Sequence, residues 1–138
     1  MSAHITVPEV VPHRPIDVLV GLAESATLEF KSTLQWDVVQ GKVNKNLRDS
    51  VLKTVAAFLN SAGGTLVIGM EDDRTIHGLE NDVRVTGNSL DRFEQLLASL
   101  ISDRIGAEFS HLIKMRNETV DGKTVWVVDV EHSLEPAF

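Results

Sequence analysis

The residues that could do chemistry are concentrated in one stretch of the chain, from Glu24 to Gly78. It holds Glu24, Glu29, a lysine at position 31 and an acidic triplet at 71–73. Hard divalent ions such as Mg²⁺ take oxygen ligands, and carboxylates beside a phosphate can organise in-line attack while a lysine stabilises the developing charge. Glu24, Glu29, Lys31 and the acidic triplet are therefore candidates for metal-assisted phosphate chemistry.

The spacing of these residues leaves a structural alternative open. Alternate side chains of a strand share a face, so Glu29 and Lys31 point one way while Leu28 and Phe30 point into the core. Glu24 can converge with Glu29 only if it lies in the turn that enters the strand. Otherwise Glu29 and Lys31 form an ion pair on a solvated face, and the acidic triplet solvates a turn.

Basic residues on or just before a predicted helix are candidate phosphate contacts. The alternative is a plain solvated helix face, because Lys45 and Lys53 are two turns apart and Asp49 interrupts them. Together with the strand lysine, the candidate nucleic-acid contacts are Lys31, Lys42, Lys45, Arg48 and Lys53.

Two tryptophans differ in their surroundings. Trp36 lies in a predicted loop and is the better candidate for stacking on a base, whereas Trp126 lies in an apolar strand and is predicted to be a core residue. The histidines, of which His77 is one, are dispersed along the sequence and are predicted to be structural or solvent-facing.

Composition limits the classes of function. A chain of 138 residues with 43% hydrophobic residues suits one domain. It has no cysteine, which excludes a disulfide framework and thiol catalysis and favours a cytoplasmic location. Neither a membrane span nor a secretory signal is visible. The net charge of −7 argues against a surface that is basic throughout, but a local basic face remains open.

The hydrophobic pattern predicts the order of elements. Residues 1–15 carry three prolines and suggest an extended arm, and residues 33–44 suggest either a functional loop or a partly ordered hairpin. The predicted helices are Ile16–Leu22, a long one from Asn44 to Leu59, and one from Leu90 to Ile101. The predicted strands are Thr27–Ser32, Thr65–Met70, Thr75–Leu79, Glu108–Asn117 and Lys123–Glu131. The second is central and buried, and the short third strand is predicted to pair back onto Leu66–Ile68. The last two are joined by a hairpin turn at Asp121-Gly122. These elements indicate an α+β domain with helices against one face of a mixed sheet.

The motifs E-S-x-x-L-E-F-K, A-A-F-x-N-x-x-G-G-T-L-x-I-G and I-x-G-L begin at Glu24, Ala56 and Ile76. As a set they resemble the Schlafen-type Alba-like domain of bacterial regulators and vertebrate Schlafen proteins, over residues 16–138. The resemblance implies an Alba-like mixed sheet with two main helices packed on it. It also implies a nucleic-acid-binding (DNA or RNA) regulatory domain, which is the function expected here.

In vertebrate members the same region resembles an endoribonuclease site for structured RNA, in which three carboxylates hold a divalent metal. Carried over, the candidate metal ligands are Glu24, Glu29 and Glu71, with Mg²⁺ or Mn²⁺ as the cofactor if the domain is a nuclease. The family more often has aspartate at the third position, so Asp72 is the substitute. A further alternative is a domain for protein interaction or assembly.

The family usually continues into a further strand beyond the point where this sequence stops. On that comparison the domain is expected to be C-terminally truncated. A missing strand exposes a sheet edge, which favours a homo-oligomer, and the terminal Phe138 suggests further chain or a partner that covers it.

Overall fold

The computed structural model describes residues 14–137. All but the last two positions of the predicted arm 1–15 lie outside the described residues, as does Phe138. The helices are α1 (Ile16–Leu19), α2 (Leu47–Leu59), α3 (Glu80–Arg84) and α4 (Leu90–Ile101); the strands are β1 (Leu28–Lys31), β2 (Trp36–Asp37), β3 (Lys42–Val43), β4 (Gly64–Ile68), β5 (Ile113–Val120) and β6 (Lys123–Val130). No helix in this part of the chain is long and apolar enough to cross a membrane.

The main sheet has the strand order β1-β4-β6-β5. β4 runs parallel to β1 and antiparallel to β6, which in turn runs antiparallel to β5. β4 is buried at every position because it has a neighbouring strand on each side and packed side chains above and below. The predicted α+β class, with a mixed sheet and a central buried strand, is confirmed.

The two long helices, α2 and α4, pack on one face of this sheet. Their apolar stripes meet the β4 and β6 side chains that point the same way, among them Leu66, Ile68 and Val128. The ring of Phe93 on α4 meets Trp126 edge-on, with ring centroids 5.3 Å apart. Trp126 is 1% exposed and is a core residue, as its strand neighbours predict.

The opposite face of the sheet is part apolar and part polar. Leu19 of α1 packs against Leu28 and Phe30. Farther along the sheet, the hydroxyl of Thr65 donates to Oδ1 of Asp129 at 2.8 Å, and Asp129 also pairs with Arg116. This buried charge is acceptable because both of its oxygens have partners.

The predicted strand at Thr75–Leu79 is wrong. Instead of a strand, this segment forms one isolated bridge, Ile76 to Met70, two positions beyond the end of β4. The neighbours of β4 explain the difference: β1 and β6 occupy both of its edges, so Leu66–Ile68 has no backbone groups left for a third strand.

The segment after α4 also differs from its predicted boundaries. The chain after α4 continues as a π-helix at Ser102–Gly106 and a 3₁₀-helix at Ala107–Leu112, so the strand predicted from Glu108 begins only at Ile113. Phe109 enters the core from this helical segment. Residues 33–44 adopt the hairpin alternative, with β2 antiparallel to β3.

Candidate functional site

A buried carboxylate fixes the β2–β3 hairpin. Asp82 of α3 is 2% exposed. Its oxygens accept hydrogen bonds from the hydroxyl of Thr33 at 2.6 Å and from the backbone N–H groups of Leu34 and Gln35, each at 3.1 Å. The same Thr33 hydroxyl accepts the N–H of Trp36 at 2.9 Å. Asp82 therefore holds Trp36 in place through the segment that precedes it.

Trp36 is half-buried, and Arg84 stacks on its indole. The guanidinium carbon of Arg84 lies 4.7 Å from the ring centroid, and Nη2 donates to Oδ1 of Asn81 at 3.1 Å. This is a cation–π arrangement, which orders both side chains at the surface.

An open cleft of about 110 Å³ lies beside this pair, and we call it the Trp36 cleft. Two of its walls are formed by the segments that follow two parallel strands. Ser32 follows β1, and Glu71 lies just beyond β4 at the same end of the sheet. The loop after β4 folds back, because the N–H groups of His77 and Gly78 both donate to the carbonyl of Gly69 at 2.9 Å. The residues that line the cleft include Ser32, Trp36, Glu71, His77, Gly78 and Asn81.

His77 belongs to this site although its sequence context did not indicate it. Its Nε2 lies 3.1 Å from Oε2 of Glu71, and both side chains are well exposed. The pairing depends on the fold of the loop after β4, so the spacing of histidines along the chain carries no signal for it.

A second cavity of about 430 Å³ adjoins the Trp36 cleft at His77 and Gly78. It extends to the β5–β6 turn, where Lys123 donates from Nζ to the carbonyl of Ile76 at 3.1 Å. We call the cleft and this cavity together the groove.

The three candidate metal ligands are not brought together. Glu24 accepts the N–H of Phe30 at 2.9 Å, Glu29 pairs with Lys31 at 3.3 Å, and Glu71 faces His77. Among the described residues, no group of three or more His, Asp or Glu side chains is arranged to hold a metal ion. The carboxylates as placed do not fit a shared cation, and the catalytic and metal assignments stay predictions.

Asp72 shares a separate open depression of about 340 Å³ with Glu24. Arg74 holds the acidic turn against the segment that follows α1. Its guanidinium donates to the carbonyls of Val20, at 3.1 Å, and Leu22, and its carbon lies 4.0 Å from the centroid of the Phe30 ring. The acidic turn is therefore a fixed element of the surface.

The predicted phosphate contacts separate into two groups. Arg48 donates from Nε to Oε1 of Gln35 at 2.8 Å, and Gln35 is 2% exposed, so Arg48 has a structural task; Lys31 is paired with Glu29. The exposed lysines are Lys42, Lys45 and Lys53. Lys42 and Lys45 lie on or next to the hairpin that carries Trp36, whereas Lys53 lies farther along α2.

Comparison with known proteins gives a family match and several solved structures of similar fold, two of which are described here. Residues 24–137 match the model of the family described as Schlafen, AlbA_2. Among curated proteins, none matches the chain. The DIP2311 protein from Corynebacterium diphtheriae is 21% identical with a TM-score of 0.60, over 88% of this chain and 22% of that one. The N-terminal domain of a RecG-related protein from Nitrosomonas europaea is 24% identical with a TM-score of 0.54, over 89% of this chain and 76% of that one.

The chain therefore spans about a fifth of the Corynebacterium protein, at 22% of its length. At these identities the two likenesses show the fold alone.

Proposed function

The chain belongs to the Schlafen AlbA_2 family, and from that premise we propose that it is a regulatory domain that binds nucleic acid, with an unpaired stretch of DNA or RNA lying in the groove. The observation that carries the proposal is the Trp36–Arg84 stack beside the Trp36 cleft. Unpaired bases are recognised by stacking on aromatic side chains and on guanidinium planes, together with hydrogen bonds to the base edges.

The stack supplies the sequence-independent part of the affinity. Stacking of one base on an aromatic side chain contributes about 1–3 kcal/mol. Asp82 and Arg84 fix the indole before a ligand arrives, so little side-chain entropy is lost on binding.

The cations near Trp36 account for the phosphate contacts. Lys42 and Lys45 are exposed beside the hairpin, and Arg84 lies on the indole. Because the net charge of the chain is −7, attraction to phosphates must come from local cations such as these. The fold relative from Nitrosomonas europaea is named as related to the ATP-dependent DNA helicase RecG, which agrees with a nucleic-acid role.

Titration of a dye-labelled uridine-rich single strand of about 12 nucleotides, followed by fluorescence anisotropy so that the variants of Trp36 can be measured, tests the proposal, since single-strand sites span about 4–16 nucleotides. We expect binding to quench Trp36, and Trp36→Ala to weaken the affinity by about tenfold or more. Trp36→Phe keeps a ring and is expected to retain part of the affinity. Absence of binding to any single strand at low salt would overturn the proposal.

Lys45→Gln and Lys114→Gln form a matched pair of charge changes. Both lysines are exposed, but Lys114 lies on β5, at the opposite edge of the sheet from β1. We expect the first change to weaken binding and the second to leave it unchanged. Equal effects would show that only net charge matters, which contradicts binding beside Trp36.

The placement of the carboxylates favours binding over cleavage. When tRNA is incubated with Mg²⁺ or Mn²⁺, we expect the wild type to release no more product than Glu29→Ala. Metal-dependent cleavage by the wild type that Glu29→Ala lacks would instead establish the endoribonuclease alternative, with Glu29 in its site.

A further inference from the structure

We propose that the Trp36 cleft selects guanine among unpaired bases. The inference rests on the proposed function, because it names the base that the cleft receives once a single strand lies in the groove. The supporting observation is that side-chain donors and acceptors near the indole of Trp36 have no hydrogen-bond partner within residues 14–137.

Two polar residues of the cleft cannot read a base. Asp82 already accepts three hydrogen bonds from the segment before β2. The Thr33 hydroxyl donates to Asp82 and accepts from the backbone of Trp36. Both groups are committed to holding the hairpin.

Two other residues present free groups of opposite kind. Glu71 directs Oε2 toward His77, and its Oε1 accepts no hydrogen bond within residues 14–137. Asn81 uses Oδ1 to accept from Arg84, while its Nδ2 donates to no group in the same part of the chain. The cleft therefore offers a carboxylate that accepts and an amide that donates.

Guanine is the base whose edge matches this pair. Its N1–H and N2–H₂ are adjacent donors, which Oε1 of Glu71 and the remaining lone pair of its Oε2 can accept together, and its O6 is an acceptor for the amide of Asn81. Adenine and cytosine place an acceptor beside a single amino group, and uracil flanks its one N–H with two carbonyls. His77 acts as a positioning residue, since its contact with Oε2 fixes the direction of the Glu71 carboxylate.

The experiment measures affinities for uridine-rich strands of about 12 nucleotides that differ only in one central base: guanine, adenine, cytosine, uracil or hypoxanthine. We expect the guanine strand to bind the wild type about tenfold more tightly than the adenine strand. Hypoxanthine lacks the amino group at position 2 and is expected to fall between them.

Glu71→Gln and Asp72→Asn are the matched variants. Both remove one carboxylate charge from the same exposed turn, but only Glu71 lines the Trp36 cleft. We expect Glu71→Gln to abolish the guanine preference while binding of the all-uridine strand persists, and Asp72→Asn to keep the preference.

The outcomes separate the two proposals. Binding without a guanine preference, or with a preference that Glu71→Gln leaves intact, overturns the guanine inference and leaves the proposed function standing. Loss of the preference in Asp72→Asn as well as in Glu71→Gln overturns the inference in favour of a general charge effect. Failure of every strand to bind at low salt overturns both.

Discussion

Asp82 is a buried carboxylate that no ion pair neutralises within residues 14–137. Three hydrogen-bond donors from the segment before β2 compensate its burial instead. In the sequence it is one acidic residue among several between positions 71 and 82, and nothing distinguishes it there. Its importance depends on a contact between segments nearly fifty positions apart, which no local pattern encodes.

Asp82→Ala is predicted to reduce the free energy of unfolding by about 2–4 kcal/mol, because two backbone N–H groups and a hydroxyl lose a charged acceptor in a buried place. Urea denaturation followed by far-UV circular dichroism measures this loss. The fluorescence of Trp36 should shift at the same time, since the hairpin loses its anchor.

Glu94→Ala is the control for Asp82→Ala. Glu94 is exposed in the middle of α4, so we expect a change within about 0.5 kcal/mol. A loss for Asp82→Ala no larger than that of Glu94→Ala would contradict the anchoring role.

Asp73 is predicted to give the fold a small pH dependence. Thr75, through its side chain and through its N–H at 2.8 Å, holds the pKa of Asp73 below its ordinary value of 3.8. A depressed carboxyl pKa stabilises the folded state above the ordinary value, and that contribution disappears as the pH falls through the lowered pKa. The difference in urea midpoint between wild type and Asp73→Ala should therefore be constant from about pH 7 to about pH 5 and shrink below 3.8.

Thr75→Val tests whether Thr75 causes this dependence. It should reduce the pH dependence that the wild type shows relative to Asp73→Ala. A difference between wild type and Asp73→Ala that stays the same down to about pH 3 would refute the assignment.

At the scale of residues, the amino-acid types in the motifs indicated candidate roles, but the sequence did not show which side chains come together in space. Trp36 was predicted to be the stacking candidate and lies at the cleft. The ion pair of Glu29 with Lys31, at 3.3 Å, follows the alternative in which these residues share a solvated face. Arg48 shows the limit of such reasoning, because a cation at the helix start gives no sign that a buried glutamine will engage it.

At the scale of elements, the glycine pair after α2 has two different tasks. Gly63 adopts a φ of 85° and donates its N–H to the carbonyl of Phe58 at 3.0 Å, which ends the helix. Gly64 instead begins β4, and a Cβ built there would lie 2.4 Å from the ring of Phe58. The second glycine is required for space.

Gly64→Ala is predicted to destabilise the domain by about 1–3 kcal/mol, because the buried Phe58 ring must move to accept the methyl group. The double variant with Phe58→Leu should lose less than the sum of the two single losses, since leucine removes the ring that clashes. Thermal or urea unfolding of the four proteins measures this coupling. Additive losses would refute the proposed clash.

Elements with a strong local signal were predicted well. The apolar spacing located α2 and α4, and the side chain of Ser89 accepts the N–H of Arg92 at 3.3 Å as a cap at the start of α4. Asp121 and Gly122 have φ values of 50° and 77°, as their hairpin turn requires. The prediction of a strand at 75–79 was wrong because pairing with β4 depends on which strands flank it. Contacts between distant parts of the chain decide that, and a local pattern does not show them.

At the scale of the whole molecule, the net charge is negative and only a few exposed cations lie near Trp36. The affinity for nucleic acid should therefore depend weakly on salt concentration. Contacts from Lys42, Lys45 and Arg84 to single-strand phosphates predict a slope of log K against log[salt] of about −2. Lys45→Gln should reduce its magnitude by about 0.7, and Lys114→Gln should leave it unchanged. Titrations between about 50 and about 200 mM salt measure the slope, and a much steeper value for the wild type would indicate a larger basic surface than the one beside Trp36.

Assembly is a second property of the whole molecule. The edges of the main sheet are β1 and β5. On β1, the side chain of Glu24 accepts the N–H of Phe30, whereas β5 is an edge strand of eight residues. A homo-oligomer stays a prediction, and light scattering measures it. Ala137 is buried and held on both backbone groups by the side chain of Asn60, so the described end of the chain is packed against the C-terminus of α2.

The parallel pairing of β1 with β4 has a consequence for the order of folding. Two walls of the Trp36 cleft follow these two strands, and the chain between them runs through the β2–β3 hairpin and α2. Pairing two parallel strands across such a long crossover is non-local. The chain loses loop-closure entropy before the contacts between the strands can stabilise it. Ligand binding in the groove should therefore emerge late in refolding, after helix α2 has formed, and should serve as a stringent assay of the native state.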